Sequence, residues 1–153
     1  MYDVTISWWI SASLAALVCL FAILCGQKEE KIVAAVIFVG WITEPFFHDR
    51  HHMMAPEFGI VLYDLFALIV FVCISTRFRR IWTIFLSASQ LNGVITHFVA
   101  ATHLRIPLYG FVGLNWIWTG YGLLLALLVG TIQSIRERKR DAAPEQIVPE
   151  QAA

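Results

Sequence analysis

Charge is what this sequence has least of. Asp, Glu, Lys and Arg make up 14% of its 153 residues, and the eleven bases are balanced by eleven acids, whereas soluble domains carry roughly 25% charged residues. The zero net charge argues against nucleic acid as a partner, since there is no overall basic excess to neutralise a phosphate backbone. Cysteine is scarce as well. Cys19, Cys25 and Cys73 are an odd set that cannot pair off fully, and they read as small apolar core residues. Several spacing motifs are missing: a Gly-rich phosphate loop, a Gly-x-Ser-x-Gly elbow, a His-Glu-x-x-His helix and a Cys-x-x-Cys-His haem attachment. There is no internal repeat either, which argues against transporters assembled from duplicated halves.

What the chain does have is apolar residues, 59% of the total, arranged in long runs. A bilayer core about 30 Å thick needs about 20 apolar residues in a helix. Runs of that kind occupy residues 6–25, 32–48, 58–76, 81–103 and 111–132, with the charged residues gathered between them. The separators are short, so successive helices must be antiparallel neighbours. A transmembrane β-barrel needs alternating segments, and the Leu/Ala/Val run at 123–129 does not alternate. These patterns predict an all-α integral membrane protein: a five-helix transmembrane bundle over residues 1–140. The remainder, 141–153, contains Pro144 and Pro149 and little to bury, and is expected to be a disordered tail.

Basic residues fix the expected orientation. Lys28, Lys31, Arg77, Arg79, Arg80, Arg136, Arg138, Lys139 and Arg140 fall on one side, and only Arg50 and Arg105 on the other. Basic residues concentrate in cytoplasmic loops. The N-terminus is therefore expected outside and the C-terminus in the cytoplasm, in a multi-pass protein of the cell inner (plasma) membrane. Pro45 removes a backbone bond in the second helix and predicts a kink there. The fifth helix carries Asn115, Thr119, Gly122, Ala126 and Gly130 at helical spacing, a stripe that lets another helix approach closely.

On this topology all five histidines, His48, His51, His52, His97 and His103, lie at or near the outer side, with Glu44, Asp49, Glu57, Asp64 and Asn115. The cytoplasmic half, in contrast, reads as plain scaffold with a basic collar. Asp64 lies seven residues beyond Glu57, and His97 seven before Leu104. At 1.5 Å per residue both sit about 10 Å into the helix. An ionisable side chain at that depth costs about 2.5–3.5 kcal/mol or more unless paired, so it is a functional candidate with an expected partner. Asp64 and His97 are the expected pair, able to hold or pass a proton. Gln90, Gly93, His97 and Ala101 share one face of the fourth helix, and Gly40, Glu44, His48 and His52 one face of the second. The expected ligand or proton site is Asp64, His97, Glu44, Asn115, Gln90 and Trp118. Trp41, Tyr63, Trp116 and Tyr121 are further candidates to wall a pocket, while Trp8, Trp9 and Trp82 read as interfacial belt residues.

The segment 48–54 offers His48, His51 and His52 beside Asp49, donors that suit zinc or another borderline metal ion. A haem would need His97 and His48 facing each other at matched depth. Three function classes follow. The first is a binding or accessory subunit that docks on partner membrane helices or on a second copy of itself, or holds a cofactor, lipid or quinone-like ligand in its outer half. The second is a metal-dependent membrane enzyme at the outer leaflet. The third is a small oligomeric proton-coupled carrier or channel, disfavoured by the shortage of polar residues in the inner half.

Overall fold

The computed structural model describes residues 2–47, 58–101 and 116–142, with side chains for 9–43, 58–99 and 117–142. These residues form five α-helices and no strand. They are α1 (Tyr2–Cys25), α2 (Lys28–Phe47), α3 (Phe58–Phe78), α4 (Ile81–Ala101) and α5 (Gly122–Asp141). A six-residue π-helical turn, Trp116–Tyr121, leads directly into α5. α2 continues through Pro45 to Phe47.

Two boundaries depart from the hydropathy reading, each for a local reason. The charged stretch before Ile32 looks like a loop, yet α2 starts at Lys28. Oε2 of Glu30 accepts the backbone N–H of Gln27 at 2.8 Å, the half of a capping box that ties the third helical residue back to the cap. Glu29 and Glu30 thus occupy the first turn, where the helix dipole favours acids. At the other extreme α5 runs to Asp141 and ends on Arg138, Lys139 and Arg140, cations suited to a C-terminal turn.

The two short connections are tight in different ways. Gly26 follows α1 so closely that a Cβ there would stand 2.4 Å from the Ala22 carbonyl oxygen. Arg79 closes α3 with φ 51°, and its N–H donates to the Ser75 carbonyl at 2.9 Å. That is the left-handed cap position usually held by glycine.

The helices form a closed ring in chain order. α1 packs on α2, α2 on α3, α3 on α4, α4 on α5, and α5 returns to α1 while also touching α2 across the middle. Ser11, Ala15, Cys19 and Ala22 are buried along one face of α1, at the 4-4-3 spacing that keeps residues on one side of a helix. They meet Val33, Ala34 and Ile37 of α2, Phe71 and Ile74 of α3, Leu86 of α4, and Leu123, Leu124 and Leu127 of α5 in a single core.

The small-residue stripe of α5 is used inside the chain. A Cβ on Gly122 would lie 3.3 Å from Oγ of Ser89, and one on Gly130 would lie 2.6 Å from the Trp82 ring. Thr119 presses on Gly93 of α4 in the same way, 2.3 Å from where a Cβ would be. The stripe therefore joins α5 to α4, the close helix approach that its small residues allow. Two expectations are corrected. Trp82 is buried over Gly130 instead of lying at the belt, and Cys73 is exposed instead of being in the core. Trp9, 62% exposed, does stand outward.

The outward faces are apolar: Phe58, Ile81 and Leu24 are among the most exposed side chains. α3, and the stretch Ile117–Asp141, are each long and apolar enough to cross a membrane.

Candidate functional site

Asp64 lies two turns into α3, and Gln90, Gly93 and His97 succeed one another along a face of α4. Because α3 and α4 are joined by the two-residue turn at Arg79–Arg80, they run antiparallel and bring these residues level. Nε2 of His97 is 2.8 Å from Oδ2 of Asp64. Nε2 of Gln90 donates to Oδ1 of Asp64 at 2.9 Å and to the Asp64 carbonyl at 3.3 Å. Each carboxylate oxygen thus has its own partner. Gln90 is 2% exposed, so its amide is fixed by burial, while the Asp64 and His97 side chains each keep 21% of their surface. The dyad is anchored from below and open on one side.

Its surroundings are held just as firmly. Tyr63, the residue before Asp64, lays its ring on Gly40 of α2, 2.8 Å from where a Cβ would be, and its hydroxyl donates to the Val36 carbonyl. This ties α2 to α3 beside the carboxylate. Gly93, between Gln90 and His97, receives Thr119 of the π-helical turn; such turns interrupt helices frequently at functional sites.

The chemistry follows from which imidazole nitrogen is engaged. With Nε2 on the carboxylate, a neutral His97 carries its proton there and presents Nδ1 as a lone pair. A charged His97 forms an ion pair and presents an Nδ1 donor. Among the described residues Nδ1 has no partner. The site can take up a proton from a hydroxyl, or donate one to a carbonyl, at a fixed point in an apolar surrounding.

The expected site residues separate into those brought together and those that are not. Asp64, His97 and Gln90 form one cluster. Trp118 does not join it: its ring centroid is 6.2 Å from that of Phe85, which at 3.6 residues per turn is about 140° around α4 from Gln90. Tyr121 bonds to Ser11 Oγ at 2.6 Å, linking α5 to α1, and Trp41 packs on the core. The Glu44 side chain, and Asn115, His48, His51 and His52, lie outside the described residues, and with them the proposed metal loop and the second haem ligand. Among the described residues no three His, Cys, Asp or Glu side chains are placed to hold a metal ion.

The opposite end of the bundle corrects the sequence reading more sharply. It is not plain scaffold. Glu30 is fully buried and Glu29 nearly so, and both face Arg80. Arg80 reaches Glu29 at 3.5 Å, Glu30 at 4.0 Å and Glu137 at 3.0 Å, and donates to Ser134 Oγ at 3.4 Å. Ser134 in turn donates to Glu30 Oε1 at 2.5 Å. Arg138 closes the set on the far flank by donating to the Cys25 carbonyl at the end of α1. Two signals could have exposed this network. Glu30 sits three residues after Gln27, the spacing of a capping box, and Ser134 continues the stripe Gly122–Ala126–Gly130 by one more step of four.

Comparison of the chain with protein families, with curated proteins and with solved structures finds no match in any of the three.

Proposed function

We propose that this chain is a multi-pass protein of the inner (plasma) membrane, its five helices spanning the bilayer with the N-terminus outside. On this reading it serves as a binding or accessory subunit, not as an enzyme. Its ligand is an amphipathic cofactor, lipid or quinone-like molecule whose carbonyl or hydroxyl meets Nδ1 of His97. The membrane part is supported by the apolar outward faces of the helices and by the nine basic residues against two on opposite sides.

One observation carries the binding part. Asp64 has both oxygens occupied, by Gln90 and by His97, so it orients an imidazole whose second nitrogen has no partner among the described residues. An imidazole oriented in this way is suited to hold a ligand on that nitrogen. That group must lie within an apolar layer, which favours a molecule with an apolar body and a small polar head. Among the described residues, the two serines on the helix of His97 stand elsewhere. Ser87 donates to the Thr83 carbonyl, and Ser89 is buried against Gly122. The leucines Leu86, Leu123, Leu124 and Leu127 are packed in the core beyond Gln90, which disfavours a proton path through the bundle.

The test is purification in mild detergent, followed by solvent extraction and an absorption spectrum. A stoichiometric organic ligand is expected with the wild type, and its loss with His97→Ala. A monodisperse wild-type protein that is colourless, ligand-free and partner-free overturns the reading. Metal analysis of the same sample addresses the enzyme alternative: stoichiometric metal that disappears when His48, His51 and His52 become alanine would favour it.

A further inference from the structure

The end of the bundle that holds the Arg80 network also displays Lys28, Lys31, Arg77, Arg79, Arg136, Arg138, Lys139 and Arg140, all exposed. Glu29, Glu30 and Glu137 face Arg80, and with Asp141 they are four acids against nine bases among the described residues at this end, which leaves an excess of five positive charges. Arg138 is held on the Cys25 carbonyl. At 100° per residue, Arg136 and Arg140 share the other flank of α5, the one turned away from α1. Arg77 and Arg79 project from the α3–α4 turn that precedes Arg80.

Arg79 is the informative member. Its φ of 51° lies in the left-handed region, where glycine is unstrained and a residue with a Cβ is not. The turn nevertheless carries an arginine whose side chain is exposed. On either side of the Arg79–Arg80 pair stand Phe78, 41% exposed, and Ile81, 83% exposed. A cationic group at a strained position between two outward apolar side chains matches a molecule that is anionic at its head and apolar in its body.

We propose that Arg79, with Arg77 beside it, binds the phosphate headgroup of an anionic phospholipid of the cytoplasmic leaflet, whose acyl chains run along Phe78 and Ile81. The proposal rests on the membrane reading above. Because Phe78 and Ile81 supply contacts that a free anion cannot use, the occupant is a lipid and not inorganic phosphate.

The test is native mass spectrometry of the full chain in mild detergent with equimolar phosphatidylglycerol and phosphatidylcholine. The wild type should retain phosphatidylglycerol at least about tenfold better. Combined Arg77→Gln and Arg79→Gln should bring the two lipids to within about twofold, and Lys28→Gln with Lys31→Gln should leave the preference intact. Arg79→Gly separates lipid binding from folding. It should raise the unfolding temperature in lipid-free detergent while weakening the preference by about fivefold, the factor for one basic residue at an anionic surface. Equal retention of both lipids by the wild type overturns the proposal, as does an undiminished preference in Arg79→Gly, or competition by inorganic phosphate as effective as by lipid. Recovery of the chain from the soluble fraction without detergent is a different failure, that of the membrane reading itself.

Discussion

The indole of Trp82 lies directly on Gly130, so close that a Cβ on the glycine would stand 2.6 Å from the ring carbons Cδ2 and Cε2. An indole is rigid and cannot fold away as a lysine tip would. Gly130→Ala is expected to destabilise the bundle by about 1–3 kcal/mol, the usual cost of overpacking. Trp82→Leu should relieve most of that loss when the two changes are combined. Thermal unfolding in detergent of the two single variants and the double would measure it; strict additivity would mean that the ring and the glycine do not limit each other.

Not every buried polar group in this seam contributes. Ser89 Oγ and Trp82 Nε1 are buried without a hydrogen-bond partner. Removing an unsatisfied group removes its desolvation cost. Ser89→Ala should therefore be neutral or stabilising, by up to about 1 kcal/mol. It should also soften the penalty of Gly122→Ala, since the tightest contact of that Cβ is with the serine oxygen. A clear loss of stability in Ser89→Ala would show that the hydroxyl has a partner after all.

Glu30 should be the most sensitive charged position. It caps α2, receives the Ser134 hydroxyl and faces Arg80, with no exposed surface. Glu30→Ala strands the buried Ser134 hydroxyl and the Gln27 N–H, while the half-buried Arg80 keeps Glu29 and Glu137; it is expected to cost about 1–3 kcal/mol. Glu30→Gln keeps acceptors for the cap and the serine, so it should cost distinctly less. Chemical denaturation would rank the two. Equal losses would assign the effect to charge alone and not to the cap.

For the dyad the order of substitutions is the informative quantity. Asp64→Asn retains an oxygen for Gln90, whereas Asp64→Ala strands a 2%-exposed amide and an unpaired His97. Side-chain hydrogen bonds between membrane helices are worth about 0.6 kcal/mol on average and up to about 1.7. Asn is thus expected to cost about 1 kcal/mol and Ala about twice that. Unfolding of both variants checks this, and an Ala no worse than Asn would show that Gln90 gains nothing from the carboxylate.

The sequence made the α3–α4 cluster legible because depth in a helix can be counted. Asp64 and His97 are the same number of residues from their loops, and Gln90 shares a face with His97. The Arg80 network stayed hidden for a different reason. Lys28–Lys31 interrupts two apolar runs, and hydropathy alone assigns such a segment to a loop. Only the capping bond from Glu30 to Gln27 turns it into the first helical turn and points both acids inward. Trp82 was misread because it stands near a helix end, where belt tryptophans also stand. What distinguishes it is a glycine forty-eight residues away, which no local pattern shows. The stripe on α5 was legible as a packing surface, but its partner, α4, follows only from the closed ring.

That ring imposes an order on biogenesis. α1 and α5, the first and last of the described helices to be made, are neighbours, tied by Ser11 to Tyr121 and by Arg138 to Cys25. The four helices made first can form only an open arc. Within it Arg80 has met Glu29 and Glu30 but still lacks Ser134 and Glu137, and the seam lined by Trp82, Ser89 and Gly93 faces outward. At about 5–20 residues per second the ribosome leaves that arc incomplete for a second or more. A chain stalled there would show chaperones and proteases a half-satisfied arginine and an unfilled groove, so arrival of α5 is the event that removes the molecule from quality control.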